Sequence, residues 1–322
     1  MGGYIARRVL YTIPVLLGVV LFVFVLLRLI PGDPVTLFYF GQETPGAASA
    51  SVGVDSTELL EQLRARYNLD KSVPHQFVLY VADLVRGDLG ESIRSRKPVT
   101  QIIAEHWPAT VQLTMASMAV AIAIGVGAGI LSAVKRHSVI DYAAQIFAVL
   151  GVSIPQFWFG LILVFVFSIM LGWLPAISNG HGKELLMPSV TLGMAASAIL
   201  ARLTRSSMLE VLNRDYIRTA RAKGLRERTV VWLHALRNAL IPVVTMIGLE
   251  FGGLLTGTVV IEVVFIRQGL GFQLIDAITQ RDYAVVQALV LLAAVVYALM
   301  NLLVDILYTY IDPRVRLQGA AR

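Results

Sequence analysis

Long apolar runs separated by short polar segments organise this chain. The first runs from Val9 to Leu27, directly after Arg7 and Arg8. A bilayer core takes about 20 residues of helix, so this run is long enough to cross. A cleaved secretion signal is the rival reading. The stretch is long for one, and Pro31-Gly32-Asp33-Pro34 follows it in place of a small-x-small cleavage site. Further runs predict spans at about Pro108–Val134, Ile140–Leu171, Met187–Leu209, Leu240–Ile266 and Ala284–Tyr310. The third of these six is too long for one straight crossing, and Pro155 predicts a kink within it. Dividing it at that point would give seven spans and place the termini on opposite sides.

The pattern changes between the first two spans. Residues 31–107 are polar enough for water. Asp55-Ser56-Thr57-Glu58 offers helix-cap chemistry, with Leu59, Leu60, Leu63 and Tyr67 following at helical spacing. Phe77, Tyr80, Val81 and Leu84 predict a second short amphipathic helix after Pro74, and Gly41–Gly53 reads as a loop. The expected organisation is a cytoplasmic start and first span over 1–30, then an extracytoplasmic insertion over 31–105. A transmembrane core follows over 106–304, with a cytoplasmic loop at 210–239, and the last span ends in a tail over 305–322.

Composition agrees with the runs. The chain is 57% hydrophobic and 15% charged, with a mean hydropathy of +0.72; a soluble domain is nearer half apolar and a quarter charged. The fold class expected is an all-α integral membrane protein. The net charge of +6 matters less than where it lies. With the N-terminus inside, Lys135 and Arg136 fall on one inside loop. Arg202, Arg205, Arg214, Arg218, Arg221, Lys223, Arg226, Arg228 and Arg237 fall on the larger inside segment, and Arg314, Arg316 and Arg322 in the tail. The two short outside loops hold Lys183, Arg267 and Arg281. Six spans with both ends cytoplasmic satisfy this bias.

One inside segment is unusual. Asp215, Tyr216, Ile217, Arg218, Ala220 and Arg221 lie on a short predicted helix that Asn213 or Asp215 can cap, with Lys223, Gly224 and Leu225 at its end. Gly224 suits the left-handed conformation that stops a helix, and a second helical stretch, Arg226–Asn238, precedes Pro242. A basic loop touching lipid headgroups explains the arginines. A docking surface for a cytoplasmic partner explains the helix, the turn and the second helix as well, with small Ala220 and Ala222 admitting close approach.

Within the spans, Gly125 and Gly129, Gly248 and Gly252, and Gly253 and Gly257 are four residues apart, which permits close helix packing inside the chain or between subunits. Glu250 and Glu262 lie in the fifth span, and Asn301 and Asp305 in the sixth. A deep ionisable group is costly and faces a cavity or a partner group. Glu250 is therefore the candidate for lining a path, whereas Glu262 and Asp305 fall near span ends, where water reaches.

Other chemistry is missing from the sequence. There is no G-x-x-x-x-G-K-[ST] loop for nucleotide phosphates, no G-x-S-x-G elbow and no cysteine. His75, His106, His137, His181 and His234 are scattered, so no metal site and no catalytic residue is expected.

Several segments together resemble the permease subunits of bacterial binding-protein-dependent ABC importers, in the branch that handles dipeptides, oligopeptides, glutathione and nickel. They are Tyr4–Arg8, Leu29–Pro34, Gly87-Asp88-Leu89-Gly90-Glu91-Ser92, Gly151–Pro155, Trp173-Leu174-Pro175, Ala201–Met208, Asp215–Leu225, Arg237–Thr245, Asn301–Asp305 and Asp312-Pro313-Arg314. The family's E-A-A-x-x-x-G loop has its counterpart in Arg218-Thr219-Ala220 and Gly224, with arginine at the acidic position. The resemblance implies a subunit that binds no cofactor itself and carries peptides across the membrane. It pairs with a second, homologous permease. Its loop docks on two cytoplasmic ATPase subunits that hold ATP and magnesium, and an extracytoplasmic solute-binding protein delivers substrate. Glutathione, nickel chelates and oligosaccharides are alternative cargoes. An ion-coupled secondary carrier is the reading from a different class; it favours internal repeats and midplane ion sites, of which Glu250 is the one candidate. A membrane-embedded enzyme lacks any catalytic constellation here.

Overall fold

A computed structural model describes residues 2–29, 61–62, 64–65, 68–178, 180 and 182–311. The expectations for Pro31–Pro34, Gly41–Gly53, Asp55–Glu58, Leu59, Leu60, Leu63, Tyr67 and Asp312–Arg314 lie outside the described residues. The described chain is helical: α1 Gly2–Leu29, α2 Val73–Val85, α3 Val99–Val134, α4 Val139–Ser153, α5 Gln156–Met170, α6 Lys183–Leu212, α7 Asp215–Ala222, α8 Glu227–Val264, α9 Leu270–Thr279 and α10 Tyr283–Ile311. Five of these (α1, α3, α6, α8 and α10) contain a stretch long and apolar enough to cross a membrane.

The sixth candidate is α4 with α5, and it is more than a kinked span. The two helices are bent by 108° at the break between them. Ile154 leaves the helix at φ −84°, ψ 126°, and Pro155 follows at φ −58°, ψ 130°. A proline excludes its predecessor from the helical region and removes an N–H of its own. Two consecutive extended residues therefore redirect the chain where a kink alone would only tilt it. Pro242 acts differently. It sits inside α8, which runs unbroken from Glu227 to Val264. The expected separation of Arg226–Asn238 from the fifth span is therefore absent, because Ala239 and Val243 on either side of the proline are both buried and hold the helix together.

The chain divides into two compact units. The first comprises Met1–Arg8, Pro108–Phe272 and Val296–Arg322. Within it α6 is central and meets α3, α4, α5 and α8. It is the least apolar of the five long helices and the most buried. Lipid rewards apolar surface, but a helix surrounded by other helices needs small residues to let them in. Gly193, Ala196, Ser197, Ala198, Ala201 and Thr204 supply that surface on α6. Leu113, Met118, Leu192, Leu200, Leu254, Ile261 and Phe265 fill the space around it.

The paired glycines fall mostly on such contacts. A Cβ at Gly125 would lie 2.5 Å from the Ser197 carbonyl oxygen, and one at Gly129 would lie 2.6 Å from Thr204 Cβ. Gly248 faces Val304 at 2.7 Å and Gly257 faces Leu192 at 3.2 Å, while Gly252 has room beside Tyr297 and Gly253 meets nothing within 4 Å.

The second unit comprises Val9–Trp107 and Gln273–Val295. Phe24 of α1 packs edge-on against Phe77 and stacks with Tyr80 of α2, at centroid distances of 5.0 and 6.2 Å. Pro74 stands in the first turn of α2, where its missing N–H would have no helical partner. Ser92 Oγ donates to Asp282 Oδ2 at 2.5 Å, and Arg94 pairs with Asp276 at 3.1 Å, so the segment after α2 is fastened to the region of α9 and α10.

Gly129→Val is expected to destabilise the purified chain by about 1–3 kcal/mol through overpacking against Thr204. Gly253→Val, in open space, should leave its melting temperature unchanged. Thermal unfolding in detergent checks both, and equal effects would refute the packing assignment.

Candidate functional site

The segment between α6 and α8 is built around α7. Arg214 occupies the N-cap at φ −73°, ψ 150° without a side-chain bond to the helix. Neither Asn213 nor Asp215 caps it as expected. Asp215 falls one position later, at the first helical residue, where its charge favours the helix dipole and meets Arg218 at 3.6 Å. The other end closes as a Schellman turn. Leu225 N–H donates to the Ala220 carbonyl at 3.4 Å and Gly224 N–H to that of Arg221 at 2.9 Å, with Gly224 at φ +75°.

Two faces of α7 have different jobs. Ile217 and Ala220 are buried in a cluster with Ala133, Met208, Val230, Val231, Ala235 and Ala239. The small size of Ala220 thus serves contact with this chain's own helices, whereas Ala222 is on the exposed face. Tyr216, Arg218, Arg221, Lys223 and Leu225 are also exposed. Arg221 grips Glu227 through two bonds of 3.1 and 2.6 Å, which raises the pKa of Arg221 and ties the end of α7 to the start of α8. Asn238 Nδ2 donates to Tyr216 Oη at 2.9 Å. The helix is therefore fixed from behind and presents a basic, aromatic front.

Polar groups inside the helical bundle are mostly paired. Glu262 is fully buried, contrary to the expectation of water at a span end. Its Oε1 accepts from Thr110 Oγ1 at 2.6 Å, and Oε2 accepts from the Gly271 and Phe272 amides at 2.7 and 3.1 Å. Leu270 N–H donates to Thr110 Oγ1 at 2.8 Å. The chain turns back after α8 and aims the free amides of α9 at the carboxylate, which replaces water. Arg267, 2% exposed, donates to carbonyl or side-chain oxygens of Ala109, Gln112, Ser178 and Gly180. Burial lowers its pKa. Glu250 is half-buried in α8 and accepts no hydrogen bond from the described residues. Asn301 is half-buried, and the side chain of Asp305 lies outside the described set.

The strongest polar cluster was not singled out from the sequence. Asp141, 1% exposed, accepts from Arg205 Nε and Nη2 at 2.8 and 3.0 Å, Ser132 Oγ at 2.6 Å, the His137 amide at 3.0 Å and Gln145 Nε2 at 3.0 Å. It joins the end of α3, the start of α4 and α6. The available signal was Ser138-Val139-Ile140-Asp141, a capping-box pattern after Lys135-Arg136-His137. Among the described residues no group of three His, Asp or Glu could hold a metal ion.

Two solved structures share this architecture. An amino acid ABC transporter covers 66% of the chain and 94% of its own, with a TM-score of 0.54 and 16% identity. The MetNI methionine ABC transporter, inward facing, covers 66% and 97%, with a TM-score of 0.52 and 20% identity. The fold is that of an ABC transporter permease. Residues 125–317 match the family described as binding-protein-dependent transport system inner membrane component, and the chain belongs to that family. It is similar over 98% of its length to the glutathione transport system permease protein GsiC of Pectobacterium atrosepticum, at 46% identity over 99% of that protein. The namesake from Escherichia coli K12 is 43% identical over the same shares. The chain is thus an inner-membrane ABC importer permease, a transport subunit without a nucleotide site; ATP is hydrolysed on separate subunits.

Asp141→Leu is expected to cost about 3–5 kcal/mol, because Arg205, Ser132 and the His137 amide lose their acceptor together. Replacing Glu105 by alanine, which breaks an exposed pair with Lys97, should barely move the melting temperature. Thermal melts of the two purified variants in parallel test the contrast.

Proposed function

We propose that this chain forms half of the translocation pathway of an importer for small peptides, with glutathione, a tripeptide, as the first substrate to test. The observation that carries the substrate is end-to-end identity of 43–46% with permeases named for glutathione transport. A second, homologous permease would complete the pathway. Two cytoplasmic ATPase subunits would supply energy, and an extracytoplasmic solute-binding protein would supply cargo. In this reading both termini are cytoplasmic, residues 31–105 are extracytoplasmic, 106–304 form the permease core and 210–239 contain the coupling segment.

The geometry supports α7 as the docking helix. Its front is exposed and basic, while Ile217 and Ala220 lock its back to Met208 near the end of α6 and to Val230 and Val231 in α8. A push delivered to the front therefore passes into two long helices of the core. An acidic contact in the family's loop is replaced here by Arg218, so the complementary charge belongs on the ATPase. ATP binding would move the ATPases and bias the permease pair between inward-open and outward-open states. Half-buried Glu250 is the candidate for the pathway wall.

Affinity purification from native membranes, followed by uptake of radiolabelled glutathione in reconstituted vesicles, tests the reading. A second permease and ATPases should co-elute, and ATP should drive glutathione uptake in the presence of the binding protein. Recovery of the chain alone, even after crosslinking, would sink the importer assembly; uptake of dipeptides with none of glutathione would move the substrate. Gly224→Pro forces a negative φ where +75° is needed and removes the amide that closes the turn. With Arg218→Glu, which reverses charge on the exposed front, it should lower uptake about tenfold or more while leaving membrane insertion intact. Normal ATPase association and uptake in both variants would exclude α7 as the docking helix.

A further inference from the structure

A cavity of about 270 Å³ lies within the second unit, lined among others by Arg28, Tyr80, Asp83, Asp88, Glu91 and Gln287. Its volume is near the lower end for small-molecule sites, which run from roughly 300 Å³ upward. Arg28 approaches it from the end of α1, with its guanidinium carbon 3.4 Å from the centroid of the Phe24 ring. Gln76 holds it: Arg28 Nε and Nη2 donate to Gln76 Oε1 at 2.9 and 2.7 Å, and Nη1 donates to the Phe24 carbonyl at 3.3 Å. Gln76 is itself fixed by donating from Nε2 to the Lys71 carbonyl at 2.8 Å. A neutral amide thus orients a half-buried cation. Among the described residues no carboxylate pairs with it.

Gln287 gives the second, independent observation. It is 7% exposed, lines the same cavity, and its buried Nε2 has no hydrogen-bond partner among the described residues. A buried amide donor left unpaired costs about 1–3 kcal/mol, and a half-buried guanidinium without a counter-ion is also unfavourable. Both groups donate, so both call for an acceptor, and an anionic one suits Arg28. The remaining wall carries the opposite charge. Asp83 meets Arg86 only at 3.9 Å, and Asp88 Oδ1 accepts from the Gly90 amide at 2.8 Å. These two carboxylates suit an ammonium group. Burial pushes the Tyr80 hydroxyl up to about 12, so it stays a protonated donor.

We propose that this cavity binds the zwitterionic backbone of a short peptide, its carboxylate on Arg28 and Gln287 and its ammonium group towards Asp83 and Asp88. The identity of the ligand rests on the peptide-importer reading; the charge pattern does not. The site would hold cargo on the permease itself, apart from the binding protein.

The test uses the assembled importer in nanodiscs without the binding protein, with glycylglycine as the probe followed by saturation-transfer NMR. Glycylglycine should bind, while N-acetylglycylglycine and glycylglycinamide, each lacking one charge, should bind at least about tenfold more weakly. Arg28→Gln and Gln287→Leu should each weaken glycylglycine by about tenfold or more. Gln287→Leu removes a donor that has no partner, so it should keep the wild-type melting temperature and separate loss of binding from loss of fold. If glycylglycine binds in this Gln287-dependent way but neither peptide nor glutathione is taken up, the site stands and the transport reading falls. If glutathione uptake is robust while glycylglycine binding is nil, or unchanged in both variants, the site is refuted. Loss of co-purifying phosphatidylethanolamine from Gln287→Leu, with peptide binding unaltered, would assign the cavity to a lipid headgroup and overturn the proposal.

Discussion

Close approach of neighbouring helices to α6 is the constraint on which the core depends. In a bilayer, helices gain little by hiding apolar surface from lipid, so contact must come from packing and from polar groups that need one another. Both are concentrated on α6. Gly125 and Gly129 of α3 and Gly151 of α4 meet Ser197, Thr204 and Ala198, with no room for a side chain between. Directly after Thr204, Arg205 of α6 crosses to Asp141 at the start of α4. Tight backbone contact sets the helices close enough for that pair to form, and the pair in turn fixes their relative position.

The buried charges share a location as well as a chemistry. Asp141 and Glu262 both sit where one helix ends and another begins. There the backbone has free amides: that of His137 for Asp141, and those of Gly271 and Phe272 for Glu262. A carboxylate in mid-helix would find no such donors. At a junction it caps the chain and is itself satisfied, which is how a helical membrane protein can hold acidic side chains with almost no water contact. These junctions are consequently fastened by side chain and backbone together.

Much of this was legible in the apolar runs. They located α1, α3, α6, α8 and α10 because length and hydropathy answer directly to bilayer thickness. Gly224 was legible for a different reason: a left-handed helix stop has one preferred residue, and it sits at φ +75°. What failed were effects of tertiary context. Pro155 and Pro242 have the same local chemistry, yet one follows an extended Ile154 and redirects the chain while the other lies in an unbroken helix. Ala220 read, with Ala222, as a small residue that admits a partner, but the helical turn places it on the buried face with Ile217. Glu262 read as solvated because sequence distance from a span end says nothing of a chain that folds back over it. Asp141 and Arg205 lie 64 residues apart, and no local pattern announces such a pair.

The same logic separates the two faces of α7. A short helix of eight residues is marginal alone in water. It persists here because Ile217 and Ala220 are anchored on Val230 and Val231, because Arg221 is clamped to Glu227, and because the Schellman turn fixes its length. None of these contacts uses Tyr216 for its ring surface, the Arg218 guanidinium beyond a loose 3.6 Å pair, or Lys223. Apart from Arg221, which is both exposed and clamped, the anchoring side chains and the exposed side chains are thus different residues. A surface whose residues are not needed to hold the helix is free to be shaped by a partner, whereas the anchors beneath it are not. Under the docking proposal, substitutions on the front alter coupling without unfolding the element, and a force applied there is carried through the anchors into α6 and α8.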